Sequence, residues 1–147
     1  MTLKEQLAQD LKDAMKEKDA VRKNTVQFIR ASILQVEKDQ KITLSDEGVI
    51  EVLAKELKKR KDVLPEYEKS GRNDLIENLK REIEIIESYL PKQLSREELE
   101  EIVKQEIQNT NATSMKDIGK VMQAVLPRVK GRADGKVVNE IAKNLLS

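Results

Sequence analysis

Hydrophobic residues recur every three or four positions along most of the 147-residue chain, which is the period of an amphipathic helix. The first such stretch places Leu3, Leu7, Leu11 and Met15 on one face. No stretch alternates polar and apolar residues as a strand would, and we count about seven helical segments by this period. The pattern therefore predicts an all-α protein.

Capping signals mark where several of these helices begin. Thr2 with Glu5, and Ser95 with Glu98, have the spacing of a capping box, in which a hydroxyl and a carboxylate each accept a hydrogen bond from the other residue's amide. These two pairs predict helix starts near residues 3 and 96. Single N-caps are predicted at Ser45, Asn73 and Asp134.

The three prolines predict where helices bend or end, because proline lacks an amide proton and clashes with the preceding turn. Pro65 is expected to kink or break its helix, and Pro127 to end its own. Pro91 lies between two helical stretches and marks a boundary. The predicted architecture is a multihelical N-terminal domain, residues 1–90, followed by a small C-terminal three-helix domain, residues 91–147.

The composition excludes several classes of enzyme. The chain contains no histidine and no cysteine, so Ser-His and Cys-His nucleophile pairs and thiolate or imidazole zinc sites are impossible. The acidic cluster around Glu97 to Glu101 fits a solvated helix face, as does the basic run Lys58 to Lys61. We expect no catalytic centre, no cofactor and no metal. No apolar run is long enough to span a bilayer, and we expect a cytoplasmic protein without a membrane partner.

Positive charge is concentrated in the last third of the chain. Residues 115–147 carry seven lysines and arginines against three acidic residues, although the whole chain has a net charge of only +1. A basic loop that is loosened by Gly131 and Gly135, next to free amides at a helix N-terminus, would bind phosphate. The alternative is a connection that only keeps the surface soluble. The predicted nucleic-acid contacts are Lys116, Lys120, Arg128, Lys130, Arg132 and Lys136.

Several segments of the chain resemble the YqeY family. The signature comprises residues 114–122, from Ser114 to Met122, and residues 130–139, from Lys130 to Asn139. Residues 71–75 and the junction 89–95, Tyr-Leu-Pro-Lys-Gln-Leu-Ser, are also similar to that family. The resemblance runs nearly end to end, and it implies the same two-domain helical fold.

The resemblance also implies a link to tRNA. A similar domain forms the tail of the B subunit of tRNA-dependent amidotransferases, where it helps to hold the tRNA, and a related module is attached to some bacterial glutaminyl-tRNA synthetases. We therefore expect an accessory protein that binds tRNA or associates with an amidotransferase. The alternative is a protein-interaction module that docks on an amidotransferase or an aminoacyl-tRNA synthetase. A carbon–nitrogen ligase activity, with glutamine as amido donor, would follow from family association only, since the sequence has no counterpart of the catalytic portion.

Overall fold

The computed structural model describes all 147 residues and contains only helices. This confirms the predicted all-α class. The helices, in chain order, are α1 Leu3–Lys16, α2 Ala20–Gln40, α3 Asp46–Ser70, α4 Asn73–Glu87, α5 Arg96–Asn109, a short 3-10 helix Met115–Asp117, α6 Ile118–Val129 and α7 Gly135–Leu146.

The chain folds into two compact units, each with its own aliphatic core. The N-terminal unit, Met1–Pro91, contains α1 to α4, and α3 packs along α4. The small unit, Lys92–Ser147, contains α5, α6 and α7, which all contact one another. Because the chain has only three aromatic residues, both cores consist of Leu, Ile, Val and Ala side chains.

The capping signals specify the helix starts at most of the predicted positions. Both capping boxes form: the Glu5 amide donates to Thr2 Oγ1 at 3.1 Å, and the Glu98 amide donates to Ser95 Oγ at 3.1 Å. Ser45 and Asp134 also cap helices through their side chains. The prediction for Asn73 was wrong, because α4 already begins at Asn73 and its N-cap, Arg72, makes no side-chain capping bond.

Two of the prolines do not end helices. α3 continues through Pro65 to Ser70, and α6 continues past Pro127 to Val129. The helix end predicted at Pro127 was therefore wrong, and of the kink or break expected at Pro65 the break does not occur. Each proline costs one backbone hydrogen bond. Beyond Pro127 the buried Val129 packs in the core of the small unit and offsets that loss, whereas the residues of α3 after Pro65 are exposed.

The basic run in α3 is more than a solvated face. Arg60 is largely buried and pairs with Glu56 at 3.0 Å and with Glu82 of α4 at 3.3 Å. Its guanidinium also lies 5.1 Å from the centre of the Phe28 ring. Lys59 pairs with the same Glu56 at 3.3 Å. These contacts connect α2, α3 and α4, so part of the run stabilises the N-terminal unit.

No helix combines the length with the apolar character that crossing a bilayer requires.

Candidate nucleic-acid interface

The predicted basic loop is the α6–α7 loop, residues 130–134 of the small unit. Two hydrogen bonds hold its backbone to the segment that precedes α5: the Leu94 amide donates to Arg132 O at 2.8 Å, and Gln93 Nε2 donates to Gly131 O at 2.9 Å. Gly131 has a φ of +74°, a conformation that glycine adopts without strain. These bonds hold the turn that Gly131 permits, so the loop has backbone contacts that its glycines did not indicate.

Arg132 contributes to holding the loop. Its amide donates to Val129 O at 2.8 Å, and its side-chain Nε donates to Lys92 O at 3.4 Å. The pKa of the Glu98 carboxyl is lowered, first by the backbone and hydroxyl hydrogen bonds of Ser95, and further by the charges of Lys92 and Arg132. Arg132 therefore helps to hold the α6–α7 loop in position, and its positive charge is partly balanced by the Glu98 carboxylate.

The amides at the start of α7 are not free. The Lys136 amide donates to Asp134 Oδ1 at 2.9 Å, while the amides of Val137 and Val138 donate to Asp134 O at 3.1 and 3.2 Å. The expectation of free amides at this helix N-terminus was wrong, because Asp134 already accepts from them through its side chain and its carbonyl. Anion binding at this loop would depend on side chains.

Arg128 is engaged inside the small unit. Its guanidinium donates to Glu106 Oε1 and to Gln105 Oε1, both at 2.9 Å, and so joins α6 to α5. The Glu106 side chain is only 13% exposed, so this pair is partly shielded from solvent. Of the six predicted contacts, Arg128 is the one that the structure uses most clearly for packing.

The remaining lysines fall into two groups at opposite ends of α6. Lys116 is exposed in the 3-10 helix, and Lys120 lies 3.8 Å from Asp117. Lys130 follows the last turn of α6, and Lys136 lies in the first turn of α7, both with exposed side chains. Ten residues separate Lys120 from Lys130, which corresponds to roughly 15 Å along a helix. The six residues therefore do not form one continuous patch.

Two features beside the loop were not predicted. Lys92 is exposed, and its carbonyl accepts the bond from Arg132, which brings a further cation to the loop. It lies in the 89–95 junction that resembles the YqeY family, and that resemblance was the available signal. The second feature is an apolar groove of about 530 Å³ beside the loop. Its lining is Gln123, Leu126, Pro127, Val129, Lys130, Gly131 and Ala133.

Comparison with known proteins gives relatives along nearly the whole chain. A protein of Kluyveromyces lactis named altered inheritance of mitochondria protein 41, mitochondrial, is 38% identical over 136 residues, which are 90% of this chain and 69% of that protein. The protein of the same name from Pyrenophora tritici-repentis is 28% identical over 130 residues, which are 86% and 71% of the two chains. An uncharacterized protein of Schizosaccharomyces pombe is 31% identical over 85 residues, 58% of this chain and 69% of that protein.

The names of the first two fungal proteins assign them to mitochondria, whereas the sequence alone led us to expect a cytoplasmic protein. The family model described as Yqey-like protein matches residues 4–146. The match includes the α6–α7 loop, the 89–95 junction and all seven helices except the first residue of α1. The resemblance found in the sequence is confirmed, and the chain belongs to the YqeY family.

Proposed function

We propose that this protein is a tRNA-binding accessory protein that contacts RNA phosphates through Lys92, Lys130 and Lys136 of the small unit. The observation that carries the proposal is an anchored loop with exposed lysines beside it. A fixed backbone lowers the entropy that binding would otherwise cost, and lysine side chains bind phosphate as point charges.

Two further features support an RNA partner. The charge excess of residues 115–147 would attract a polyanion, and the family resemblance links this kind of domain to tRNA. Phe28, Tyr67 and Tyr89 are the only aromatic residues of the chain, and all three lie outside the small unit. Base stacking therefore contributes little there, and recognition would depend on the shape and backbone of the RNA.

The proposal is independent of compartment. tRNA is present in the cytoplasm, the compartment that the sequence led us to expect for this protein. It is also present in mitochondria, the compartment given in the names of the fungal relatives. Lys116 and Lys120 would be a second contact region of the same RNA. Arg128 and Arg132 would act by holding α6 and the α6–α7 loop in position.

The test is tRNA binding across a salt series with the variant Lys130→Glu, Lys136→Glu. We expect affinity to fall by roughly tenfold or more, and the slope of log affinity against log salt to decrease by about one for each lysine. The circular dichroism spectrum should stay unchanged, because both side chains are exposed.

A matched control is Lys104→Glu, Lys143→Glu. These exposed lysines belong to the same unit, and the variant has the same net charge, but they lie on α5 and at the other end of α7. The control should lose less affinity than the loop variant. Equal losses would mean that only net charge matters, and unchanged binding by the loop variant would refute the interface.

The second candidate function is docking on an amidotransferase or an aminoacyl-tRNA synthetase. It is favoured by the apolar groove beside the loop, where Leu126 is 42% exposed. Exposed apolar surface that a monomer does not bury often serves for partner binding. In this case Leu126→Gln would abolish co-purification with the enzyme, whereas the lysine variant would retain it, and the complex would survive nuclease and high salt.

A further inference from the structure

The exposed face of α2 carries an excess of positive charge. The whole chain carries 28 basic and 27 acidic residues. From Ala20 to Val36, however, α2 contains three cations and no acidic residue. Arg22 pairs with Asp10 and Glu17, whereas Lys23 and Arg30 form no ion pair. One strip of this helix is therefore positive and lacks the ion pairs that cover other helix faces.

The residues of this strip fall on one side of the helix. Lys23, Gln27, Arg30, Ala31 and Leu34 follow the three- and four-residue spacing of a single face. We call these five residues the α2 patch. Leu34 is 58% exposed, the highest fraction of any large apolar residue apart from Met1. The patch thus combines a prominent aliphatic side chain with small or uncharged neighbours and two cations.

A pocket of about 330 Å³ opens between α1 and α2 next to Leu34. Leu7 and Ile33, which are buried, form its apolar lining together with Ala31 and Leu34. Arg30 also lines it, so a cation lies next to the apolar surface. The size suits an aliphatic side chain, and the guanidinium suits a carboxylate beside it.

The acidic residue at the other end of the pocket does not neutralise Arg30. Glu37 accepts from Lys4 Nζ at 2.5 Å and from the Leu44 amide at 2.8 Å. The hydrogen bond from Lys4 is the largest cause that lowers the pKa of the Glu37 carboxyl, and the bond from the Leu44 amide lowers it further, so the group stays ionised. Because Glu37 is already engaged, the charge of Arg30 remains available to an incoming group.

We propose that the α2 patch binds an acidic amphipathic helix of a partner protein. An apolar residue of that helix enters the α1–α2 pocket, and its flanking carboxylates pair with Arg30 and Lys23. Complementary charge across an interface selects the partner and its orientation. The apolar lining of the pocket and the exposed Leu34 favour a protein ligand over RNA.

A second copy of this chain fits the patch poorly. In a two-fold dimer the same surface meets itself, so the positive strip of one copy would lie against the positive strip of the other. Like charges in contact across an interface are repulsive. The patch therefore requires a partner of opposite charge, and this requirement does not depend on the proposed binding of tRNA by the small unit.

The test uses two fluorescent amphipathic peptides with the same leucine stripe, one flanked by glutamates and one by lysines. Binding to the full chain is measured by anisotropy, and methyl NMR locates the contact. The acidic peptide should bind and shift the methyl signals of Ala31, Ile33 and Leu34, and its affinity should fall as salt is added. The lysine peptide should bind at least about tenfold more weakly.

Two variants examine the two parts of the patch. Lys23→Glu, Arg30→Glu should reverse the preference, so that the lysine peptide binds better than the acidic one. Leu34→Gln should lower the affinity for the acidic peptide by about tenfold, since an aliphatic contact is lost. Lys61→Glu and Leu145→Gln, at other exposed positions, should leave affinity unchanged.

Four outcomes would overturn the proposal. The first is that the acidic peptide does not bind, and the second is that the α2 variants keep the wild-type affinity for it. The third is that tRNA displaces the peptide. The fourth is that the protein sediments as a dimer, which Leu34→Gln converts to a monomer. The third would make the patch an RNA site, and the fourth would assign it to a second copy.

Discussion

Asp10 shows how one side chain can organise several elements of the N-terminal unit. Its carboxylate accepts from Tyr89 Oη at 2.5 Å and from Gln6 Nε2 at 2.9 Å, and it lies 3.4 Å from Arg22. The Asp10 side chain is only 13% exposed, so it needs these partners. A single acidic residue thereby connects α1 to α2 and to the segment that follows α4.

The hydroxyl of Tyr89 provides the clearest test at this scale. Burial raises the pKa of Tyr89, and the hydrogen bond and charge of Asp10 raise it further. Tyr89→Phe removes the donor and leaves the carboxylate with one bond fewer. We expect a loss of about 1.5–3 kcal/mol in the free energy of unfolding, the range for a hydrogen bond to a charged group. Chemical denaturation measures it, and Tyr67→Phe, at an exposed ring, is the control.

The same pKa shift predicts lower stability in alkali. The unfolded chain releases the Tyr89 proton near the ordinary value of 10.0, before the folded chain does. The folded state then binds more protons, so stability falls as the pH rises above that value. Tyrosinate absorbance at high pH should lose its late component in Tyr89→Phe. If the wild type and the variant titrate alike in that range, the contact with Asp10 is incorrect.

At the scale of elements, α3 shows that a proline near the end of a helix does not stop it. Pro65 removes a backbone hydrogen bond five residues before the end of this 25-residue helix. Val49, Leu53 and Leu57, which are buried in the core, and Leu64, which packs against it, all precede the proline. The residues after Pro65 are exposed. The last turn of α3 therefore forms without burial in the core, and the helix ends at Gly71, whose φ is +70°.

Pro65→Ala tests this interpretation. The proline is exposed, so the substitution restores an amide without changing the core. We expect the free energy of unfolding to rise by about 2 kcal/mol, somewhat less than the difference between proline and alanine in a helix, because the unfolded chain also gains freedom. Glu66→Ala is the neighbouring control. An unchanged or lower denaturation midpoint would mean that the packing of α3 depends on the proline itself.

At the scale of the whole molecule, carboxylates hold connections in both units. Glu37 binds Lys4 and the Leu44 amide, Glu98 completes the capping box of α5, and Asp117 accepts from the Thr113 amide at 2.9 Å. Hydrogen bonds are the main cause that lowers the pKa of each carboxyl. These bonds require the ionised form, so all three connections weaken in acid.

The lowered pKa values predict the direction of acid unfolding. Each carboxylate contributes stability above its ordinary pKa, 4.5 for glutamate, and this contribution is lost as the pH falls through the lowered folded value. Urea midpoints should therefore fall on acidification below that range. Glu98→Gln should reduce stability at neutral pH and flatten the acid decline. Glu97→Gln removes a carboxylate without a capping role and should do neither.

Features that depend on neighbours in the chain were predicted well from the sequence. The capping boxes at Thr2 and Ser95 form as expected because donor and acceptor are three residues apart. The all-helical class follows from hydrophobic period, and the family resemblance rests on contiguous motifs.

Features that depend on distant residues could not be predicted in this way. Arg128 and Lys130 look equivalent in the sequence, yet Arg128 pairs with Glu106, which is 22 residues away. The hydrogen bond from Leu94 to Arg132 fixes a loop that its glycines suggested was loose.

The sequence by itself determined the all-helical class and most of the helix caps, since those depend on interactions within one or two turns, and its contiguous motifs identified the family. Only the tertiary structure decided which cations are used for packing, how the α6–α7 loop is held and where Leu34 and Arg30 meet a pocket. The physical reason is that these properties depend on which helix faces come together when apolar surface is buried.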